Sequence, residues 1–189
     1  MNYEDDLKSA LSALKSGGVI LYPTDTIWGI GCDPTIPEAV ERIYKIKQRT
    51  DSKSLIILTD NVNRIAQYVK YVPEIAYELI EVTDTPLTII YPDAKNLAQN
   101  LIASDGSVGI RVCSDDFCSE LIRRFRKPIV STSANLSNKP SPSAFYDISQ
   151  EIIDSVDYVV AHRQNDLEKK TASSIIKIEA NGAIKIIRK

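Results

Sequence analysis

Val19-Ile-Leu-Tyr-Pro-Thr-Asp-Thr-Ile-Trp-Gly-Ile-Gly31 opens on four apolar residues and turns polar at a proline. Residues 19–22 read as a short buried strand, and Pro23, which has no N–H to give a sheet ladder, closes it. Residues 23–31 are then expected as a loop at the strand's end, carrying Thr24, Asp25 and Thr26 between Pro23 and Gly29. Two hydroxyls and a carboxylate so placed can meet a ligand, or can bond their own backbone and simply make the turn.

Working outward, Leu7, Ala10, Leu11 and Leu14 recur at helical spacing and stop at Gly17-Gly18, a helix ahead of the strand. Pro37 suits the first turn of a second helix, with Glu38 and Glu41 toward its positive end and Val40, Ile43, Tyr44 and Lys47 on one side. Lys47 falls on its last turn. Strands are expected at 55–58, at 87–91 up to Pro92, and at 108–112 with Arg111, and amphipathic segments at 65–69 and 75–80. Ser114 is expected to cap the next helix, with Asp115 and Asp116 in its first turn and Phe117, Leu121, Ile122 and Phe125 inward. Residues 129–132 form a strand running into the polar loop 133–143. Segments 157–161, 173–178 and 183–188 complete the sheet, the last two joined by the hairpin pair Asn181-Gly182. Alternating strands and helices with a closing hairpin define an α/β domain with a mixed sheet, a single unit over 1–189.

Composition narrows the chemistry. Hydrophobic residues at 43% and charged residues at 25% support a packed core, and the net charge of −2 argues against a surface built wholly for nucleic acid. Two basic clusters remain, Arg42, Lys45, Lys47, Arg49 and Lys53, and Arg123, Arg124, Arg126 and Lys127, groupings that are usually solvated helix faces. Three cysteines cannot close a set of disulfides, the amino terminus is acidic, and no apolar run reaches membrane-spanning length. A reducing, cytoplasmic setting without a membrane is expected.

A phosphate-rich ligand needs cations together with hydroxyl and amide donors. Lys47, Arg49 and Lys53 supply cations, but Lys47 and Arg49 point apart on a continuous helix, so they act together only if the helix ends between them. Thr50-Asp-Ser52 fits such an ending; a frayed helix end with solvated charge fits the same residues. Ser133 and Asn135, like the Thr24 loop and Arg111, lie at or near strand ends, where ligands of α/β sheets collect. His162 is the sole histidine and there is no Gly-x-Ser-x-Gly, which disfavours covalent catalysis. Cys113 and Cys118 have the wrong spacing for zinc, and neither a P-loop nor Gly-x-Gly-x-x-Gly occurs, so any Mg2+ is expected to arrive with a nucleotide.

In order, residues 22–31 with their Pro-Thr-Asp-Thr core, Lys47-x-Arg49, 108–112, Thr132-Ser-Ala-Asn135, Ser141-Pro-Ser143 and Ser173-Ser-Ile-Ile176 resemble the YrdC/TsaC family of threonylcarbamoyl-AMP synthases across nearly the whole chain. The resemblance implies a twisted sheet with flanking helices and a large concave cleft. It implies that L-threonine, bicarbonate and ATP are joined into threonylcarbamoyl-AMP with release of pyrophosphate, and that the product feeds the machinery that modifies a tRNA adenosine beside the anticodon. By the same resemblance Thr26, Arg111, Ser133 and Ser173 surround L-threonine, with Thr24 a secondary candidate, while Lys47, Arg49, Lys53, Ser107, Asn135, Ser143 and Arg188 face ATP. Lys47 and Arg49 are the expected catalytic cations, with Mg2+ assisting. This chain departs from many relatives at Gln48, where they have Gly, at Thr50 and Ser54, where they have Pro, and at Trp28, where they have Tyr. Two other readings stand beside it. One is a non-catalytic module for tRNA or double-stranded RNA, motivated by the basic clusters. The other is the carbamoyl-transfer domain of hydrogenase-maturation proteins, whose accompanying zinc and acylphosphatase modules are missing from this sequence.

Overall fold

The apolar run after the first helix forms β1 (Ile20–Tyr22), but the polar stretch beyond it is not all loop: Gly29–Gly31 is a second strand, β2, antiparallel to β1. Close approach selects the glycines. A Cβ at Gly31 would lie 2.4 Å from the Val130 carbonyl oxygen and 2.7 Å from the Tyr22 ring, so only a residue without one fits the strand there. In this computed structural model, which describes residues 2–48, 55–179 and 181–189, seven further strands join them. They are β3 (Ile56–Thr59), β4 (Leu87–Tyr91), β5 (Val108–Val112), β6 (Ile129–Ser133), β7 (Tyr158–Val159), β8 (Ser174–Ile178) and β9 (Ile184–Arg188). The sheet order is β7-β1-β2-β6-β3-β5-β4-β8-β9, with β1/β7, β3/β5 and β4/β8 parallel and the other neighbours antiparallel.

Helix α1 (Tyr3–Lys15) starts where Asn2 Oδ1 accepts from the Asp5 N–H at 2.9 Å, and three acidic residues fill its first turn. Leu7, Ala10 and Leu14 are its buried stripe. Helix α2 (Pro37–Ile46) ends with Lys47 as its cap, and Gln48 follows at φ 51. The helix therefore stops before Arg49, and the position where many relatives have Gly holds a side chain in the left-handed region. Arg49 and Lys53 lie outside the described residues. Helix α3 (Glu74–Val82) and the 3-10 helix Val62–Gln67 occupy the two amphipathic segments. Helix α4 (Asp116–Phe125) is capped by Asp115, whose Oδ1 accepts from the Cys118 N–H at 2.9 Å, so Ser114 lies one residue outside the cap expected for it. The 3-10 helix Phe145–Asp147 and α5 (Gln150–Ser155) arise in a stretch too short and polar to show a helical period.

Helices α1 and α4 pack on each other and on the sheet, burying Phe117, Leu121 and Ile122 of α4. Strand alternation divides the residues of β4, β5 and β6. Ile89, Ile110 and Val130 enter the core, while Thr88 and Ile90, Gly109 and Arg111, and Ser131 and Ser133 line an open cleft. The expected site at strand ends is thus corrected: the cleft spreads over a sheet face. Sheets that follow the strand-end rule are covered by helices on both faces; here β1 and β2 are buried on both faces, while the described residues leave one face of β4, β5 and β6 lining the cleft.

Candidate functional site

The cleft has a volume of about 900 Å³, and Thr26, Lys47, Ser107, Arg111, Ser133, Asn135, Ser173 and Arg188 all line it. That is near the upper end of the roughly 300–1,000 Å³ usual for small-molecule sites. Thr24 and Ser143 do not line it. They border a small second cavity beside the Thr24–Thr26 segment, where the Ser143 hydroxyl donates to Asp147 Oδ2 at 2.9 Å.

Thr24 is 1% exposed and its hydroxyl is fully used. It donates to the Ile27 carbonyl at 2.9 Å and accepts from the Thr26 N–H at 3.0 Å. Since the Thr24 proton goes to Ile27, the 3.0 Å contact between the two hydroxyls has Thr26 as donor, which leaves Thr26 lone pairs to accept from a ligand; the two lone pairs of Thr24 Oγ1 are then shared among the Thr26 N–H, the Thr26 hydroxyl and, at the longest distance, Arg111. Arg111, the penultimate residue of β5, reaches Thr24 Oγ1 from NH2 at 3.4 Å and lies 3.0 Å from Asp25 Oδ1, with both charged side chains 5% exposed. The Asp25 contact is an ion pair by distance without hydrogen-bond alignment; Asp25 Oδ1 and Arg111 Nε lack a hydrogen-bond partner among the described residues. Arg111 lines the cleft, and a guanidinium so placed can take a carboxylate.

Lys47 is buried, and its ammonium donates to the Ser133 carbonyl at 2.6 Å and the Asn135 carbonyl at 2.8 Å. The Asn135 amide in turn donates to the Leu136 and Lys139 carbonyls at 2.9 and 2.6 Å. The helix-end lysine and the polar loop after β6, 86 residues apart in sequence, are thereby one unit.

On the other side, Ser173 Oγ lies 2.8 Å from Thr88 Oγ1, and Arg188 donates to the Ser173 carbonyl from Nε at 2.9 Å and NH2 at 2.7 Å. Burial, and then the nearby Arg111 guanidinium, hold the Arg188 pKa below the usual arginine range. Two cations that repel each other across a cleft attract an anion between them. Ser107 donates to Asp105 Oδ1 at 2.6 Å, and Lys177 donates to Asp105 Oδ2 at 2.8 Å; these bonds pull the Asp105 pKa down to about 2. Thr88, Ser131 and Asp105 were missed in the sequence; the signal in the first two is a hydroxyl inside an otherwise apolar strand.

His162 stacks its ring on Phe117 and sits edge-on to Tyr3, a packing role. The three cysteines are buried, and burial raises the Cys32 and Cys118 thiols far above the range of reactive ones. Much of the basic clusters is neutralised: Arg42 pairs with Asp157, Lys45 with Glu41, Arg123 with Glu120, Arg124 with Glu4 and Glu120, and Lys127 with Asp33. No helix among the described residues is long and apolar enough to cross a membrane.

The profile of the Sua5/YciO/YrdC family, described as "Telomere recombination", matches residues 12–189. The chain belongs to this family. A threonylcarbamoyl-AMP synthase of Pseudoalteromonas translucida is 32% identical over 187 residues, covering 97% of this chain and 98% of its own. The fold is that of the family's solved members. E. coli YciO superposes with a TM-score of 0.85 at 22% identity, covering 100% of this chain and 90% of that one. P. abyssi Sua5, complexed with L-threonine, gives 0.81 at 23% identity over 94% of this chain and 52% of its own, so this chain spans about half of that protein.

Proposed function

We propose that this chain is a threonylcarbamoyl-AMP synthase, a nucleotidyltransferase that joins L-threonine, bicarbonate and ATP and releases pyrophosphate. The observation that carries the reading is one cleft holding both the Thr26–Arg111–Ser173 cluster and the Lys47–Ser133–Asn135 unit. Arg111 takes the threonine carboxylate, with Thr26, Ser133 and Ser173 around the rest of the amino acid. The free amine reacts with bicarbonate to give a carbamate and water. A carbamate oxygen then attacks the α-phosphorus of ATP and pyrophosphate leaves. Carbamate and triphosphate are both anions, so their encounter needs fixed positive charge; Lys47 and Arg49 supply it, with Lys53, Ser107, Asn135 and Arg188 on the nucleotide side, while Ser143, which lies outside the cleft with its hydroxyl on Asp147, is left out of that set.

Among the described residues no group of three or more His, Cys, Asp or Glu could hold a metal, and Asp105 is occupied by Ser107 and Lys177. A Mg2+ would then be held by the triphosphate it arrives on and would supply charge neutralisation as pyrophosphate leaves. The adenylate passes to a tRNA threonylcarbamoyl-transfer machinery in the cytoplasm. The RNA-binding reading loses most of its motivating charge to the ion pairs above. Pyrophosphate release by purified protein is expected only when ATP, L-threonine and bicarbonate are present together with Mg2+; none above a no-enzyme control overturns the reading.

A further inference from the structure

Beside the Thr24–Thr26 segment, at the small second cavity that shares Thr26 and Trp28 with the cleft, lies a second guanidinium. Arg163 borders the small cavity there, with only 18% of its side chain exposed. NH1 donates to the Thr24 carbonyl at 3.3 Å and to Asp115 Oδ2, and Nε donates to Asp166 Oδ2 at 2.6 Å. Asp115 is the cap of α4, so Arg163 ties the segment to the end of a helix packed on the sheet.

The base from which Arg163 acts is itself fixed. Asp6 of α1, 1% exposed, accepts from the Ala161 and His162 N–H groups at 3.0 and 2.6 Å and from the Tyr158 hydroxyl at 2.7 Å. The His162 ring is held by Phe117 and Tyr3. Arg163 then sits at φ 66, a conformation a non-glycine residue keeps only where its surroundings impose it. The backbone is held in an unfavourable region while the guanidinium meets three partners.

We propose that Arg163 is a positioning residue for the amino-acid side of the cleft, an inference that rests on the synthase reading above. Thr24 is gripped at two ends: its carbonyl by Arg163, and its hydroxyl by Thr26 and Arg111. Letting go of the carbonyl moves Thr24, and with it the Thr26 hydroxyl and the polar contact of Arg111. The Lys47–Ser133–Asn135 unit shares none of these side-chain bonds and meets the segment only through the β2/β6 ladder, where Gly29 pairs with Ser133 and the Ala134 N–H donates to the Trp28 carbonyl at 3.1 Å. Arg163 therefore sets the affinity for L-threonine and leaves that for ATP alone.

The test is pyrophosphate-release kinetics of the full chain, with each substrate varied in turn, for the parent, Arg163→Met and Arg163→Lys. Arg163→Met is expected to raise the KM for L-threonine about tenfold, the share of its three lost bonds that falls on the Thr24 carbonyl, with the KM for ATP within about twofold. Arg163→Lys, which keeps the charge but not the fork of donors, falls between. A threonine KM within about twofold of the parent in folded Arg163→Met overturns the proposal, as does a parallel rise in both KM values or a fall in kcat alone. Should Arg163→Met fail to fold, Arg163→Lys is read by the same criteria. If the parent itself releases no pyrophosphate, the synthase reading falls instead; calorimetric titration of parent and variants with L-threonine then tests the clamp directly, equal affinity overturning it.

Discussion

Replacing Asp25 with Asn leaves the shape of the loop and removes the charge that faces Arg111. The two groups are 3.0 Å apart and 5% exposed; at an effective dielectric of about 20 their gross attraction is about 5–6 kcal/mol. Desolvation of both charges offsets much of that, so the pair as a whole adds little. Breaking it from one side is different. An uncompensated guanidinium stays buried, which costs roughly 3–5 kcal/mol, and because Asn retains an acceptor oxygen the lower value, about 3 kcal/mol, applies. In a chain of 189 residues each kcal/mol moves the melting temperature by roughly 2–4 °C, so Asp25→Asn is expected to melt about 6–12 °C below the parent in a calorimetric scan at pH 7. The KM for L-threonine should rise as well, since Arg111 loses a group that orients it. A shift under about 2 °C would show that Arg111 is solvated or otherwise compensated, and the account of the cleft's charge would be wrong.

Lys47→Ala is expected to lower kcat/KM for pyrophosphate release about 10- to 100-fold, since it removes charge-assisted contacts and frees the loop after β6; an unchanged rate would remove Lys47 from the mechanism. Gly31→Ala places a methyl group 2.4 Å from a backbone oxygen that cannot step aside, so a loss of about 3 kcal/mol is expected in urea unfolding, and a parental midpoint would refute the packing argument. Asp105→Asn tests pH linkage. The folded pKa of Asp105 is depressed to about 2, so its contribution is complete above the unfolded value of about 3.9 and disappears as pH falls through 2. Asp105→Asn should therefore be less stable than the parent at pH 7, with the gap narrowing from about pH 4 and closing below pH 2, whereas a gap that stays constant down to pH 2 would exclude the linkage.

Strands β4 and β5 lie where the apolar runs put them, and α1, α2 and α4 follow from their buried stripes. Such signals are local, so a sequence carries them. β2 was hidden because two of its three residues are glycine, and what makes a strand of them is the approach of Tyr22 and Val130 from elsewhere in the chain. Ser114 and Asp115 are both good caps; only the register of α4 on the sheet decides between them. In the cleft, Thr26, Arg111, Lys47, Ser133 and Asn135 stood out as polar groups beside apolar runs. Thr88 acquires meaning only through pairing, which sets it opposite Arg111 on β5 and Ile175 on β8, within reach of Ser173. Arg163 gave no signal at all, because its three partners lie 139, 48 and 3 residues away.

Why a mixed sheet suits this chemistry follows from where its helices go. A wholly parallel sheet needs crossovers that cover both faces and leaves ligands the strand ends. Here most neighbouring strands are antiparallel, and one face is free to display every second residue of β4, β5 and β6 as a floor. Side chains on strands are held more firmly than side chains on loops, and the described cations are further tied to the protein: Lys47 to two carbonyls, Arg188 to the Ser173 carbonyl, Arg111 to Asp25 and Thr24. In water, bringing two anions together requires solvent dipoles to reorganise as charge shifts. Cations already fixed by the protein need less such rearrangement, and in the reaction proposed above that difference lowers the barrier to the encounter of carbamate and α-phosphate.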